Sequence, residues 1–546
     1  MYLRVAMNKS KIVFKDYNQG LLNLFPCRLD ENIPVHSPVR MINQVVDELD
    51  ISGLLSTYQG GGTSSYHPRM LLKVLFYAYL NNIYSCRKIE KVLQENIHYM
   101  WLSGSQYPSF STINRFRSEH VKDCINSLFV QVVEMLVELG YLSLEVQYID
   151  GTKIESVANK YTFVWKKSIE HYKGNLEKKI ACILSQIEEG IAGDNSTLEE
   201  SPFEINSEQL RQHISKINKE NKSKTELKQL KVLTEQHLPK LEEYERHLQI
   251  MGKRNSYSKT DHDATFMRMK EDAMNNGQTK PGYYLQIATA GQYILNYGFY
   301  PISTDTTTLE SFINLGYTRF GVMPKTICAD AGYGSQENYH LLETNHIEAY
   351  VKYNYFHQEQ KKKFKNNPFR QENLIYNKKT DTYTCPQGKI MHFLQEKISI
   401  SDNGYKSKIR QYQCENCQGC PLKEQCHKAK GNRIINVNEK LREYKAKARE
   451  LLTSEQGLKH RSKRPIEPEA VFGQMKFNKA YKRCRHKGFE KINMDFGVFA
   501  IAFNLLKMWR KRLKIVNWAK IACFYLKIYI INPIADKNHE KYKLAA

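Results

Sequence analysis

The sequence lacks any hydrophobic run long enough to cross a membrane. A membrane-spanning helix takes roughly 18 or more consecutive apolar residues, whereas the nearest candidate, residues 515–531, is interrupted by Asn517, Lys520 and Lys527. The N-terminal stretch MYLRVAMNKSKIVFKDYNQG also lacks the apolar core of a signal peptide. We therefore predict a cytosolic protein with no membrane partner.

Acidic residues are scarce relative to basic ones. The 546 residues include 57 Asp and Glu against 81 Lys and Arg, which gives a formal net charge of +24. An excess of this size favours an extended polyanion as partner, nucleic acid before a membrane surface, with a merely solubilising surface as the alternative. The charge is concentrated, since residues 459–520 contain 17 Lys or Arg and only four Asp or Glu.

The N-terminal part of the sequence is typical of a small helical bundle. HPRMLLKVLFYAYLNNI is too densely apolar for a surface helix and predicts a core helix. YPSFSTINRFRSEH then predicts a turn and a short helix that begins near Ser109 or Ser111. This helix would direct Asn114, Arg115 and Arg117 outward, in the outline of a helix-turn-helix that contacts DNA. Any other helical hairpin is the alternative.

Strand and helix signals alternate through the middle of the chain. LSLEVQYID predicts a half-buried strand that ends at Asp150, and residues 282–300 predict a hairpin. The segments that follow, up to EAYVKY, alternate between helix and strand, as in a layered α/β sheet. Residues 166–255 differ, because they are rich in Lys, Glu, Gln and Leu and predict two long amphipathic helices.

Three acids stand in contexts that suit a metal site. Asp150 and Asp330 each end a predicted strand and are followed by glycine within two residues, where the chain can turn. At one edge of a sheet two such carboxylates would repel each other, and a hard divalent cation would relieve the repulsion. In RPIEPEAVFGQMKFN we expect Pro468 at the first helical position, which puts Glu469 in the first turn and Lys476 two turns later on the same face. Two further acids, Asp263 and Asp305, are interpreted as capping or turn residues.

YIDGTKIESVANKYTFVWKKS, CADAGYGS and RPIEPEAVFGQMKFN resemble the three blocks of bacterial insertion-sequence transposases of the DDE class, close to the IS1182 family and its IS4/IS5-like relatives. The resemblance extends over most of residues 35–515. It implies an RNase H-like core in which Asp150, Asp330 and Glu469 bind Mg²⁺ (or Mn²⁺). The spacing from Glu469 to Lys476 and the upstream Arg464 match the Tyr, Arg, Glu, Lys signature of similar enzymes. No tyrosine stands just before Arg464 in LKHRSKR, so that element of the signature is missing or displaced, and Glu467 lies at the wrong spacing from the lysine.

The resemblance also implies partners and a mechanism. The DNA partners would be the terminal inverted repeats and a target, bound by a homodimer on paired ends in the bacterial nucleoid. Two metal ions about 3.5–4 Å apart would activate water and then a 3′-hydroxyl for in-line displacement. Arg464 and Lys476 would contact DNA. A covalent tyrosine recombinase is disfavoured, because none of the 35 tyrosines stands in a context that demands a nucleophile.

The chain length suggests roughly two to four structural units. The predicted units are an α/β, RNase H-like catalytic core and several all-α or small additions. Their expected bounds are 1–34 for an N-terminal extension, 35–130 for the helical DNA-binding region, 140–165, 256–355 and 455–515 for the core, 166–255 for a helical insertion, 380–435 for a Cys-rich insertion and 516–546 for a C-terminal tail.

Five of the 12 cysteines fall within 42 residues, at positions 385, 414, 417, 420 and 426. Disulfides are rare in the cytosol, and the C-x₂-C-x₂-C spacing suits thiolate ligands. We predict structural Zn²⁺ bound by four ligands from Cys385, Cys414, Cys417, Cys420 and Cys426, with one thiol spare or His427 in competition. An Fe–S cluster is less favoured, because the fourth cysteine of the run comes too late, and buried free thiols are the remaining alternative.

Three other functions compete with a transposase. A catalytically inactive or domesticated relative would keep the basic surface and bind DNA only. A zinc-dependent structural or regulatory protein would explain the cysteines and leave the three acids unexplained. A metal nuclease that does not join DNA would use the same site.

Overall fold

The computed structural model of the chain describes residues 28–58, 65–189, 206–217, 223–269, 278–302 and 304–531. Most of the predicted N-terminal extension and the end of the predicted tail therefore lie outside the described residues. The polar linker between the two predicted insertion helices also lies largely outside them. No helix among the residues that are described is both long enough and apolar enough to span a bilayer.

The N-terminal region is helical, as predicted. A π-helical turn, Phe116–Val121, joins its last two helices. Ten of the thirteen residues in the third helix are buried, which confirms the predicted core helix. The helices are α1 (Pro38–Glu48), α2 (Ser52–Leu55), α3 (Pro68–Leu80), α4 (Cys86–Glu95), α5 (Ile97–Ser103), α6 (Phe110–Arg115) and α7 (Lys122–Glu138).

A mixed sheet forms the centre of the molecule. Its strands are β1 (Val146–Glu155), β4 (Thr265–Arg268), β5 (Thr279–Ala290), β6 (Tyr293–Tyr300), β7 (Thr326–Ala329) and β8 (Glu348–Val351). Two short strands, β2 (Phe163–Trp165) and β3 (Ser256–Ser258), pair with each other in a separate sheet. The order in the mixed sheet is β4-β5-β1-β7-β8, and β6 also pairs with β5. The β1–β5 and β5–β6 pairs are antiparallel, which confirms the predicted hairpin, whereas β1–β7 and β7–β8 are parallel.

Strand β1 does not end at Asp150, so that prediction is wrong. Its parallel pairing with β7 stops at Tyr148, opposite Cys328. Antiparallel pairing with β5 continues from Asp150, opposite Ile287, to Glu155. The strand continues because β5 still offers hydrogen-bonding partners after β7 has ended. Asp150 therefore lies just beyond the end of the pairing with β7, in the part of β1 that pairs only with β5.

The insertion after β2 packs around a small apolar core of its own. Its helices are α8 (Lys166–Glu189), α9 (Ser207–Lys216), α10 (Lys224–Val232) and α11 (Leu238–Met251). The first long helix was predicted correctly. The second is interrupted, because Asn206 and Ser223 each start a new helix with a capping box, and a π-helical turn, Leu233–His237, precedes α11.

Two helices on the sheet, α12 (Leu309–Phe320) and α13 (Gln336–Thr344), precede the Cys-rich region. That region contains α14 (Lys362–Lys365), β9 (Ile375–Asn377), β10 (Thr382–Thr384), β11 (Ile390–Ile400), β12 (Lys406–Cys414), α15 (Lys423–Cys426) and β13 (Ile434–Val437). The strands form a second sheet in the order β13-β12-β11-β10-β9. The tip of its β11–β12 hairpin contacts the main body, since Asn403 donates a hydrogen bond to Glu337 at 2.9 Å.

The C-terminal part is helical and begins with α16 (Glu439–Thr453) and α17 (Glu455–Lys463). Helical structure continues without a break from α17 through the π-helical turn Pro465–Glu469, α18 (Ala470–Gly473) and a second π-helical turn, Gln474–Asn478. Pro468 is therefore inside the helix, and its predicted place at the start of a helix is wrong. Pro468 lacks the backbone N–H that an α-helical hydrogen bond needs, and the first π-helical turn includes it.

The last helix, α19 (Phe489–Ile531), connects the two halves of the molecule. It packs against α3 and α7 of the N-terminal region and against β6 of the sheet. One continuous hydrophobic core includes residues from all of these elements. The N-terminal helices and the sheet are thus parts of one packed body.

Candidate active site

The three acids singled out in the sequence meet at one arginine. Atom Nη2 of Arg464 lies 3.2 Å from Oδ2 of Asp150 and 3.5 Å from Oδ2 of Asp330. Its Nη1 donates a hydrogen bond to Oε1 of Glu469 at 2.9 Å. Arg464 is 7% exposed, whereas the side chains of Asp330 and Glu469 are about half exposed. The three carboxylates thus line an accessible site around the buried guanidinium of Arg464.

The register of the sheet explains why the two aspartates meet. Tyr148 on β1 is opposite Cys328 on the parallel strand β7. Asp150 and Asp330 each lie two residues beyond this pair, at the carboxyl end of the parallel ladder. Asp330 follows directly after β7 and begins the turn Ala331–Tyr333, as predicted.

The helix that carries Arg464 and Glu469 is fixed to the sheet through His460. Its Nδ1 lies 2.9 Å from the hydroxyl of Tyr148, and its ring lies 4.5 Å from that of Tyr350, centroid to centroid. Burial lowers the pKa of the His460 imidazole, and nearby Lys463 lowers it further. The neutral ring therefore attaches the helix to β1 at Tyr148, which is two residues before Asp150.

The structure separates Glu469 from its neighbour Glu467. Glu467 is 8% exposed, and its carboxylate accepts a hydrogen bond from the backbone N–H of Gln292 at 2.7 Å. It therefore holds the β5–β6 turn against the helix. Glu469 instead contacts Arg464, and its preference over Glu467 as a metal ligand stays a prediction.

Lys352 is a member of the site that sequence reasoning missed. Ala329 on β7 pairs with Val351 on β8, so the next residues, Asp330 and Lys352, leave the sheet side by side. Burial and the neighbouring Arg464 lower the pKa of the Lys352 ammonium, while Asp330 and Glu469 oppose this shift. The signal available in the sequence was a lysine directly after a strand of the same sheet.

Asp305 is also at this site. It begins a turn, as predicted, because its backbone oxygen accepts a hydrogen bond from the N–H of Thr308 at 3.4 Å, but its side chain does not cap α12. Its Oδ1 accepts a hydrogen bond from the hydroxyl of Tyr284, and its Oδ2 lies against Gly332 in the turn after Asp330. By contrast, Asp263 accepts a hydrogen bond from the backbone N–H of Phe489 at 2.9 Å, at the start of α19, which confirms its capping interpretation.

The residues predicted to contact DNA differ in exposure. Asn114 and Arg115 are exposed on α6, whose first turn is capped by the hydroxyl of Ser109, as predicted. Lys476 is only 6% exposed, whereas the side chain of Glu469 is about half exposed, so the prediction that they share one exposed face is wrong. Lys476 lies four residues after the buried Phe472, on the buried face of the helix.

Arg117 is buried, so its predicted outward orientation is wrong. It is 5% exposed and donates hydrogen bonds of 3.0 Å to the hydroxyl of Tyr79 and to the backbone oxygen of Tyr84. Its Nη1 also lies 4.0 Å from the carboxylate of Asp495 on α19. Arg117 lies four residues after the buried Ile113 and therefore on the same face of the helix. Arg117 therefore joins the N-terminal helices to α19.

The five clustered cysteines line one small cavity in the Cys-rich region. The cavity has a volume of about 20 Å³, and its wall includes Cys385, Cys414, Cys417, Cys420, Cys426, His427 and Arg433. Burial and the adjacent Cys417 thiol raise the pKa of Cys414 to about 12. Neither ring nitrogen of His427 has a hydrogen-bond partner, although both are buried. The Arg433 guanidinium lies 3.1 Å from the sulfur of Cys426.

Within the described part of the chain, no group of three or more His, Cys, Asp or Glu side chains is arranged to hold a metal ion. The donors at both places are suitable in kind, carboxylates for a hard cation and thiols with imidazole for zinc. The carboxylates are arranged around Arg464 instead, and Arg433 approaches the thiols. The predicted Mg²⁺ and Zn²⁺ sites therefore stay predictions.

Two families match parts of the chain. Residues 384–509, which include Arg464 and Glu469, match a family described as a transposase DDE domain. Residues 27–119, which include α1 to α6, match a family described as a transposase domain of the DUF772 type. No curated protein and no solved structure matches the chain significantly. One match lies in the N-terminal part of the chain and the other in the C-terminal part. Together they confirm the resemblance to DDE transposases that was found in the sequence.

Proposed function

The chain belongs to the insertion-sequence DDE transposases of the IS1182-like kind, and we propose that it cuts the ends of its element and joins them to target DNA. The observation that carries this proposal is the meeting of Asp150, Asp330 and Glu469 at Arg464. These acids come from distant parts of the chain. Separate capping or turn roles for them give no reason for such a meeting.

The proposed cation is Mg²⁺ or Mn²⁺, and its proposed ligands are Asp150, Asp330 and Glu469. Hard cations prefer oxygen ligands and are often held by a few carboxylates together with phosphate oxygens and water. When bound, such ions supply the charge that activates an attacking hydroxyl and stabilises the leaving oxygen in a displacement at phosphorus. The scheme with two ions stays a prediction.

Arg464 has two proposed roles. Neighbouring carboxylates disfavour the ionisation of one another. In the free protein the positive charge of Arg464, which contacts all three, offsets this repulsion. When DNA and the cation bind, we propose that the guanidinium turns to a phosphate oxygen, which its planar fork can bind in a bidentate manner. Lys352, beside Asp330, provides a second positive charge for the same phosphate group.

The sheet is the proposed RNase H-like core. Three antiparallel strands, β6, β5 and β1, continue into two parallel ones, β7 and β8. The N-terminal helices are the proposed DNA-binding region, with Asn114 and Arg115 as contacts on α6. A homodimer on paired ends is proposed from the family resemblance alone.

We propose that the Cys-rich region takes one structural Zn²⁺. The cavity lined by the five cysteines has a volume of about 20 Å³. Five thiols and the imidazole of His427 line it, and thiolate sulfur with imidazole nitrogen is a donor set of structural zinc sites. The thiols must still move to coordinate it, since they are not yet arranged as a metal site.

The test is a reaction of the purified chain with DNA that carries both ends of its element, together with a target plasmid. The proposal predicts cleavage and joined products with Mg²⁺ and neither with a chelator. Cleavage without joining would favour a metal nuclease. Binding without cleavage in Mg²⁺ or Mn²⁺ would favour a domesticated DNA-binding relative.

A further inference from the structure

Tyr284 and Asp305 form a hydrogen-bonded pair between the two segments that carry Asp150 and Asp330. The Tyr284 hydroxyl donates to Oδ1 of Asp305, and its oxygen lies 3.4 Å from the hydroxyl oxygen of Tyr333. Tyr333 is fully buried and ends the turn that follows Asp330. The pair thus touches the Asp330 turn directly.

Two glycines, one near each acid, make room for this pair. A Cβ atom on Gly151 would lie 1.6 Å from the hydroxyl oxygen of Tyr284, and a Cβ atom on Gly332 would lie 2.4 Å from Oδ2 of Asp305. Neither glycine has the positive φ that would by itself favour glycine. The close approach of the pair is therefore the physical reason for a glycine at both positions.

The backbone around Asp305 is fastened to the same turn. The hydroxyl of Thr306 donates a hydrogen bond of 3.0 Å to the carbonyl oxygen of Gly332. The buried amide of Asn338 donates to the carbonyl oxygens of Thr306 and Tyr333, at 3.0 and 2.9 Å. Asp305 is thus held against the Asp330 turn by hydrogen bonds from the side chains of Thr306 and Asn338 as well as by its own carboxylate.

The hydroxyl of Tyr284 is held in its neutral form. Burial and the neighbouring Asp305 raise the pKa of Tyr284 far above its ordinary value, and Asp150 adds to the shift. Tyr284 therefore acts as a hydrogen-bond donor at this edge of the sheet.

We propose that the Tyr284–Asp305 pair is a positioning element that sets the separation of Asp150 and Asp330 and thereby the affinity of the site for its divalent cation. The inference rests on the proposed function, because it assumes that these two aspartates bind the cation. It assigns a role to Tyr284 and Asp305, which do not belong to the DDE triad.

The experiment compares Tyr284→Phe and Asp305→Asn with the full-length wild type and with two reference variants. Asp150→Asn removes a proposed ligand. Tyr293→Phe is the matched control, because Tyr293 lies in β6 of the same sheet and its buried hydroxyl has no hydrogen-bond partner. Mn²⁺ binding is measured by electron paramagnetic resonance. Thermal unfolding and the Mg²⁺ dependence of DNA cleavage are measured in parallel.

Loss of a contact behind a metal ligand typically weakens metal affinity about 10- to 100-fold. We expect a weakening of at least about tenfold in Tyr284→Phe and Asp305→Asn, with cleavage partly recovered at high Mg²⁺ and Tyr293→Phe unchanged. If the wild type binds Mn²⁺ through Asp150 but both pair variants bind it equally well, the inference is wrong and the proposed function stands. If the wild type shows no binding that depends on Asp150, both are wrong. Should Asp305→Asn unfold, Tyr284→Phe alone decides.

Discussion

Arg464, which is buried, forms an ion pair with Asp150, with Nη2 of the arginine 3.2 Å from Oδ2 of the aspartate. The pair joins the helix after α17 to the first strand of the sheet. The same guanidinium also contacts Asp330 and Glu469. The site is therefore assembled around a positive charge that the chain itself supplies, and this has measurable consequences.

Replacement of Arg464 by Met removes that charge and keeps an apolar stem of similar length. Without a cation the three carboxylates then repel one another, and we expect a loss of about 1–3 kcal/mol in the free energy of unfolding. Millimolar Mg²⁺ should raise the melting temperature of Arg464→Met by more than it raises that of the wild type, because the ion replaces the missing charge. Scanning fluorimetry with Mg²⁺ and with a chelator measures this. An equal rise in both proteins would contradict the account.

Arg115 and Arg117 should give opposite phenotypes although they are two residues apart. Arg115→Ala should weaken DNA binding and reduce the salt dependence of binding by about one unit of slope, as for a lost phosphate contact. The melting temperature should not change, because Arg115 is exposed. Binding titrations at several salt concentrations measure the effect. Unaltered affinity and slope would remove Arg115 from the DNA contacts.

Arg117→Ala should instead destabilise the fold. Removal of one partner from a buried ion pair typically costs about 3–5 kcal/mol, and Asp495 would lose a neighbouring positive charge. Urea unfolding of Arg117→Ala and the wild type measures the difference. A stable Arg117→Ala variant with impaired DNA binding would show that the residue acts at the surface after all.

The different positions of these two arginines illustrate what the sequence could and could not predict. The order of elements, the core helix, the hairpin and the cap at Ser109 follow from local patterns of apolar residues and turn formers. Arg117 and Lys476 each lie four residues after a buried apolar residue, Ile113 and Phe472, and therefore on the buried face of their helices. The distant residues that surround a charged side chain there, such as Asp495 beside Arg117, have no local signature in the sequence.

The stability of the site should depend on pH through His460. Burial holds the pKa of its imidazole below the ordinary value of 6.5, so the folded state binds this proton less readily than the unfolded state. The stabilisation is therefore present above pH 6.5 and is lost as the pH falls below it, by at most about 1.4 kcal/mol per pH unit for one proton. His460→Gln should have a flatter dependence of melting temperature on pH between 5 and 7.5.

The control for this measurement is His171→Gln, because His171 is exposed on α8 of the insertion. Its melting temperature should follow the wild-type curve at every pH. If His460→Gln also follows the wild-type curve, the neutral imidazole between Tyr148 and Tyr350 is not a pH-dependent element of the fold.

The Cys-rich region should carry zinc. Elemental analysis of the purified, colourless protein should give about one Zn²⁺ per chain, and Cys414→Ser combined with Cys417→Ser should lose it. Cys182→Ser is the control, because Cys182 is an exposed thiol in the insertion. Iron with acid-labile sulfide would establish a cluster instead, and a protein free of both metals would leave the five cysteines as thiols.

The three acids could be singled out from the sequence, whereas their supporting contacts could not. Asp150, Asp330 and Glu469 stand in recognisable motifs and meet at Arg464, and their role as metal ligands stays a prediction. The convergence on Arg464 and the packing of Tyr284 and Asp305 over two glycines depend on residues that are far apart in the chain. Such tertiary contacts have no local signature. The same applies to Asp150, whose strand continues only because β5 is long enough to pair with it.

The most direct test of the central claim is single-turnover cleavage of element-end DNA by Asp150→Asn, Asp330→Asn and Glu469→Gln, with Glu467→Gln as the matched control. We expect each of the first three to lose Mg²⁺-dependent cleavage while DNA binding is retained. Glu467→Gln should still cleave, because its side chain only supports the β5–β6 turn. Full cleavage by any one of the three variants would remove that residue from the catalytic site and contradict the account.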